Sequence, residues 1–138
     1  MKAHQLSKKE KEEIKNSLNS ILAGRGEVVF AYLYGSFLSA NWFRDVDIAV
    51  HIDEKGVSRK EALEYEIALS LELEKELHLP VDVKLLNYAP LSFRYDVTKG
   101  EVIFSRDEET RFSFIEETWY RYLDYAPVER EFIGEMFQ

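Results

Sequence analysis

Cysteine is absent from this 138-residue chain, which removes disulfide staples, thiolate nucleophiles and cysteine-rich zinc sites together. Proline and glycine are scarce, at three and six residues, and nowhere cluster into a linker. With no internal repeat or low-complexity stretch either, a chain of this length reads as one domain over residues 1–138. No apolar run approaches the ~20 residues of a membrane span, and Met1-Lys2-Ala3-His4-Gln5-Leu6 leads into charge rather than an apolar leader segment. The protein is therefore expected in the cytoplasm, away from membranes. Positive charge is in deficit, because 18 lysines and arginines face 26 acidic residues for a net −8. Nonspecific nucleic-acid affinity comes mainly from Lys and Arg displacing counterions, so a nucleic-acid partner is not expected.

What the chain does have is a 46% hydrophobic content, enough to bury a core, distributed with clear periodicity. Ser7-Lys8-Lys9-Glu10 has the pattern of a helix capping box, and Ile14, Leu18, Ile21 and Leu22 follow at helical spacing until Gly24 and Gly26 stop them. Val28 to Tyr34 is apolar on both faces and predicts a buried central strand. After a loop centred on Ser39-Ala40-Asn41-Trp42, a second strand is predicted from Asp45 to His51, then a turn from Asp53 to Val57. Ser58-Arg59-Lys60-Glu61 opens a helix to about Leu77 with two apolar rows, Leu63-Ile67-Leu71 and Leu69-Leu73-Leu77. Pro80 ends it and starts a third strand, Val81 to Leu86. A short helix from Pro90 to Lys99, a β-segment from Glu101 to Phe104 and a helix from about Asp107 to Tyr125 complete an α-β-β-α-β-α-β-α order. That order implies an α+β fold, a small mixed β-sheet packed by helices.

The chemistry sits on the strands. Residues two apart in a strand point the same way, about 6.5 to 7 Å apart, so Asp45 and Asp47 share a face while Val46, Ile48 and Val50 pack the other. In the third strand Val81, Val83 and Leu85 form the core face and Asp82 points away from it. If the two strands are neighbours in register, three carboxylates meet, repel one another and call for cations between them. Magnesium is a hard ion that takes carboxylate and phosphate oxygens, and a pair of such ions about 3.5 to 4 Å apart clamps both oxygens of an in-line displacement. Gly35-Ser36, at the exit of the first strand, supplies close backbone approach, an amide and a hydroxyl for phosphate. Acidic pairs at the same spacing in the long helix, Glu64/Glu66 and Glu72/Glu74/Glu76, read instead as a solvated helix face. Asp is disfavoured in strands, which sets Asp45 and Asp47 apart from those pairs.

The blocks Tyr34-Gly35-Ser36, Asp45-Val46-Asp47-Ile48-Ala49-Val50 and Val81-Asp82-Val83 resemble the nucleotidyltransferase superfamily with a DNA polymerase β-like fold. Length and the stretch from Leu86 to Phe104 are similar to the minimal nucleotidyltransferases, in particular the MntA-type antitoxins paired with HEPN-domain ribonuclease toxins. The resemblance implies a protein adenylyltransferase that moves AMP from ATP onto a tyrosine hydroxyl of its HEPN partner. On that footing Asp45 and Asp47 hold two Mg2+, Asp82 completes the metal site and helps deprotonate the acceptor, and Gly35 and Ser36 hold the triphosphate. Two departures stand out: the Gly-Ser to Asp-x-Asp gap is short, at eight residues, and Ala40 stands where a glycine is usual. Two alternatives are an antitoxin that neutralises by binding alone and a nucleotidyltransferase acting on a small molecule or RNA.

Other residues carry plainer expectations. Arg94 reads as a surface ion pair rather than a phosphate ligand, and Trp42 as loop packing or a stacking surface. Arg44 and His51 match the toxin's own Arg-to-His spacing only by coincidence; His51 and His78 read as partly exposed structural residues at element ends. Tyr120, Tyr122 and Tyr125 read as packing residues rather than AMP acceptors, and the tail 127–138 as a partner-docking segment or a frayed end.

Overall fold

A computed structural model describes residues 3–125, the side chain of Tyr125 excepted. The elements run β1 (His4–Gln5), α1 (Lys8–Ala23), β2 (Val28–Tyr34), α2 (Ser36–Ser39), β3 (Trp42–Phe43), β4 (Val46–Ile52), α3 (Ala62–Leu77, entered through a 3-10 turn at Arg59–Glu61), β5 (Val81–Leu85), α4 (Leu91–Val97), β6 (Glu101–Ser105) and α5 (Glu108–Tyr125). Four strands form one mixed sheet in the order β5-β4-β2-β6. β2 lies antiparallel to both β4 and β6, whereas β4 and β5 are parallel and joined by the α3 crossover.

Both capping boxes form. Glu10 N–H donates to Ser7 Oγ while Ser7 N–H donates to Glu10 Oε1, and the Ser58–Glu61 pair opens the turn ahead of α3. Leu18 and Leu22 of α1 and Leu69 and Leu73 of α3 press on one face of the sheet, against Leu33, Ile48, Val50 and Val83. The second face carries Phe30, Tyr32 and Ala49 under Leu86 and Val97, with Phe93, Phe114 and Ile115 of α4 and α5 packed around them. Of the two apolar rows on α3, the sheet buries Leu69 and Leu73; Leu63, Ile67 and Leu71 stay exposed, because the row looks past the sheet's edge.

That edge is β5, and helix side chains close it. Val81 N–H donates to Glu74 Oε1 (3.0 Å), Val83 N–H to Ser70 Oγ (3.1 Å) and Leu85 N–H to Glu66 Oε2 (2.7 Å). Glu66, Ser70 and Glu74 are four residues apart along α3, so one helical stripe supplies an acceptor for every second amide of the strand. Glu66 and Glu74, which the sequence assigns to a solvated helix face, are thus part of the sheet's hydrogen bonding.

Two small elements escape the sequence analysis. The loop expected after Gly35-Ser36 contains the single turn α2, and Trp42–Phe43 pairs with His4–Gln5 as a separate two-stranded ribbon. The second strand begins at Val46, so Asp45 stands immediately ahead of it instead of within it.

Candidate active site

Strand pairing lines up three side chains on the second face of the sheet. Tyr34, the last residue of β2, is opposite Asp47 in β4, and Asp47 is in register with Asp82 in β5. Register partners point to the same face, so Tyr34, Asp47 and Asp82 form a row across three strands, with Asp45 at the mouth of β4. Burial pushes the Asp47 carboxyl up to about 6, reinforced by the negative charges of Asp45 and Asp82 and by a hydrogen bond with Asp45. Burial, then the charges of Asp47, Asp82 and Asp45, raises the Tyr34 phenol well above its ordinary value, so it stays neutral beside the carboxylates.

Gly35 turns the chain out of β2 at φ +82°, in the left-handed region that favours glycine. Space matters as much as conformation there: a Cβ at this position would sit 2.3 Å from Asp47 Oδ2. The missing side chain is the volume that the Asp47 carboxylate occupies. Ser36 follows as the first residue of α2, and Leu38 N–H closes onto Gly35 O at 3.2 Å.

The short loop between Ser36 and Asp45 is fastened from α1. Lys11 Nζ donates to Phe37 O (2.7 Å) and Ala40 O (2.9 Å), and it lies 5.2 Å from the centroid of the Phe37 ring and 5.6 Å from that of Phe43. Phe37 and Phe43 are buried against each other edge to face, and the β1–β3 ribbon ties the same loop to the start of the chain. Sequence reasoning missed Lys11, since its partners are carbonyls that only the folded loop presents.

The donor set around Asp47 is carboxylate only, and a cluster of that kind, with one member's proton affinity raised, suits a hard divalent cation. Among the described residues no three such side chains stand gathered as a ready-made cage. Asp82 has Lys84 Nζ 3.9 Å from its Oδ1, an internal counter-ion two residues along the same strand face. The set therefore fits an ion that completes its coordination with phosphate oxygens.

Trp42 and Arg44 are brought to this site. With Ala3, Ser36, Phe43 and Asp45 they line a cavity of about 420 Å³, and Trp42 is 58% exposed, which of its two sequence readings disfavours loop packing and leaves the stacking surface. Among the described residues Arg94 makes no ion pair: its Nε is buried without a hydrogen-bond partner, and burial, then the nearby Arg121, lowers its pKa against the opposing charge of Glu117. His51 is the next-to-last residue of β4, half-buried and stacked on Phe30 at 4.8 Å. His78 does end an element, as the left-handed cap of α3. Tyr122 packs on Tyr95 at 3.8 Å, whereas Tyr120 is 77% exposed. The Tyr125 side chain and the tail 127–138 lie outside the described residues.

A mixed sheet that presents a Gly-Ser turn beside an Asp-x-Asp strand mouth and an aspartate on the next strand defines a nucleotidyltransferase. The profile of the family described as "Polymerase beta, Nucleotidyltransferase" matches residues 16–109, and the chain belongs to that family. Among solved structures, a chain of the complex of tri-AMPylated Shewanella oneidensis HEPN toxin with MNT antitoxin is similar at 18% identity and TM-score 0.65, over 93% of this chain and 99% of that one. A toxin–antitoxin complex with AMP-PNP is similar at 20% identity and TM-score 0.65, over 90% and 98% of the two chains. The MntA–HepT toxin–antitoxin structure gives 18% identity and TM-score 0.64, over 92% and 99%. No curated protein sequence matches significantly. Among the described residues, no helix is long and apolar enough to cross a membrane.

Proposed function

We propose that this chain is an antitoxin-type protein adenylyltransferase that transfers AMP from ATP to a tyrosine hydroxyl of a HEPN ribonuclease toxin. The observation that carries the reading is the register of Asp47 with Asp82, beside Asp45 and against the space left by Gly35. The likeness to toxin–antitoxin complexes, one with an AMPylated toxin and one with an ATP analogue, supports the choice of partner and nucleotide.

Asp45 and Asp47 would hold two Mg2+, with Asp82 completing one of the sites; magnesium there supplies charge neutralisation at the phosphates. The chain's own groups do the rest. The Gly35 turn brings backbone close to the triphosphate, and the Ser36 amide and hydroxyl hold first the phosphates and then the departing pyrophosphate. Arg44 faces the same cavity as Ser36 and adds positive charge on the phosphate side. Asp82 accepts the proton of the attacking hydroxyl, and neutral Tyr34 walls the carboxylate row without adding charge. Incubation with Mg2+, ATP and a purified candidate HEPN toxin tests the reading by intact mass. A gain of one or more AMP on the toxin is expected, and it is lost in Asp45→Asn and Asp47→Asn. Unchanged labelling by both variants refutes it, and protection of cells by both variants points instead to neutralisation by binding alone.

A further inference from the structure

In-line displacement at phosphorus places the attacking and leaving oxygens on opposite sides of the atom. With pyrophosphate leaving at Gly35-Ser36, beyond the end of β2, the acceptor hydroxyl has to arrive from across the carboxylate row. There Asp82 stands on the edge strand β5.

A groove opens at that place, along the seam between α3 and β5. Asp82, Lys84, Ile67 and Leu71 line its near part, and it shares Leu63, Glu66 and Lys84 with a cavity of about 480 Å³ whose walls include Tyr88 and Phe93. Leu63, Ile67 and Leu71 are 64%, 52% and 61% exposed, in a row with helical spacing that spans about 12 Å. The β5 amides that face the groove are already bonded to Glu74, Ser70 and Glu66. A polypeptide seated here therefore cannot add a strand and is held through its side chains.

We propose that the α3–β5 seam is the acceptor site, which takes a tyrosine presented by an apolar segment of a partner protein. This rests on the nucleotidyl-transfer reading above. The aromatic and aliphatic walls suit a phenol ring, and the apolar row is longer than a free phenol needs, so it grips the residues that flank the tyrosine. The phenol oxygen forms a bond to the α-phosphorus of ATP, the bond from that phosphorus to the bridging β-phosphate oxygen breaks, and pyrophosphate leaves toward Gly35-Ser36. The phenol proton passes to Asp82. Lys84 lines the same groove, with its ammonium 3.9 Å from Asp82.

Two measurements decide the matter. In the first, N-acetyl-tyrosinamide and adenosine are titrated separately into the isotope-labelled full chain with Mg2+ and AMP-PNP, and backbone amide shifts are followed. The tyrosine probe is expected to shift Leu63, Ile67, Leu85 and Phe93, and adenosine to leave them unmoved. Shifts confined to the Trp42 side, no shifts, or equal shifts from adenosine overturn the assignment. In the second, Ile67→Lys, an exposed change outside the carboxylate row, is expected to lower kcat/KM for the HEPN toxin at least tenfold with KM for ATP unchanged. An unaltered kcat/KM overturns it. Should the wild-type chain transfer no AMP, the titration still judges the groove, so failure of the acceptor site and failure of the catalytic reading are distinguished.

Discussion

Removing the charge of Asp45 should stabilise the metal-free protein while abolishing its activity. The Asp47 carboxyl is raised from 3.8 to about 6 by burial and by the charges of Asp45 and Asp82, so the folded state holds its proton longer than the unfolded chain does. Below pH 3.8 both states are protonated and nothing is lost. As pH rises from there through about 6, the folded state becomes progressively less stable, and above that the full cost is present. At about 1.36 kcal/mol per unit the shift corresponds to roughly 3 kcal/mol, which solvent screening at this half-buried site reduces to about 1 to 2 kcal/mol. Asp45 is the largest contributor after burial, so Asp45→Asn should recover about 1 kcal/mol, or roughly 3 to 5 °C in melting temperature for a domain of this size. Thermal melts in EDTA at pH 4.5, 6 and 7.5 read this out, with the advantage of the variant growing as pH rises. Addition of Mg2+ and AMP-PNP should reverse the order, because only the wild type gains from binding. A variant less stable than wild type in EDTA at pH 7.5, or an advantage that does not change with pH, refutes the account of the carboxylate row as mutually repelling.

Gly35→Ala should lower transfer at least 100-fold and cost about 1 to 2 kcal/mol in urea melts, since its Cβ would meet Asp47 Oδ2 at 2.3 Å on a backbone of φ +82°. Lys11→Met, which keeps the stem but frees the carbonyls of Phe37 and Ala40, should weaken AMP-PNP binding about tenfold by calorimetry and speed hydrogen exchange in the Ser36–Asp45 loop. Arg44→Ala should raise KM for ATP several-fold while leaving the melting temperature in EDTA unchanged. Glu66→Ala leaves the Leu85 amide unpaired and should cost about 1 to 3 kcal/mol, with light scattering reporting added self-association through the opened edge.

The order of elements along the chain was legible because its strand signals are strong; the order of strands across the sheet was not. Val28–Tyr34 matches the expected strand residue for residue, and both Ser-x-x-Glu sequences cap as their spacing requires. The juxtaposition of Asp47 with Asp82 was legible only as a condition, since parallel register depends on how the α3 crossover packs. The short elements were not legible. β1 and β3 are two residues each, too few for any period, and they exist because Phe43 is buried and draws His4 over it. Glu66 and Glu74 read as solvated charge because their partners are backbone amides of the next strand, which only the packed helix meets. Arg94 looked like a surface charge because its burial depends on α5 crossing α4.

The ribbon that joins His4–Gln5 to Trp42–Phe43 has a practical consequence for anyone who purifies this protein. Ala3 is itself part of the wall of the cavity that holds Ser36, Arg44 and Asp45, the cavity proposed above to take the phosphates. On that reading, an affinity tag placed ahead of Ala3 would compete for the space of the phosphates, and it would load a ribbon of only two residue pairs. Kinetic constants measured on such a fusion would report the tag as well as the enzyme.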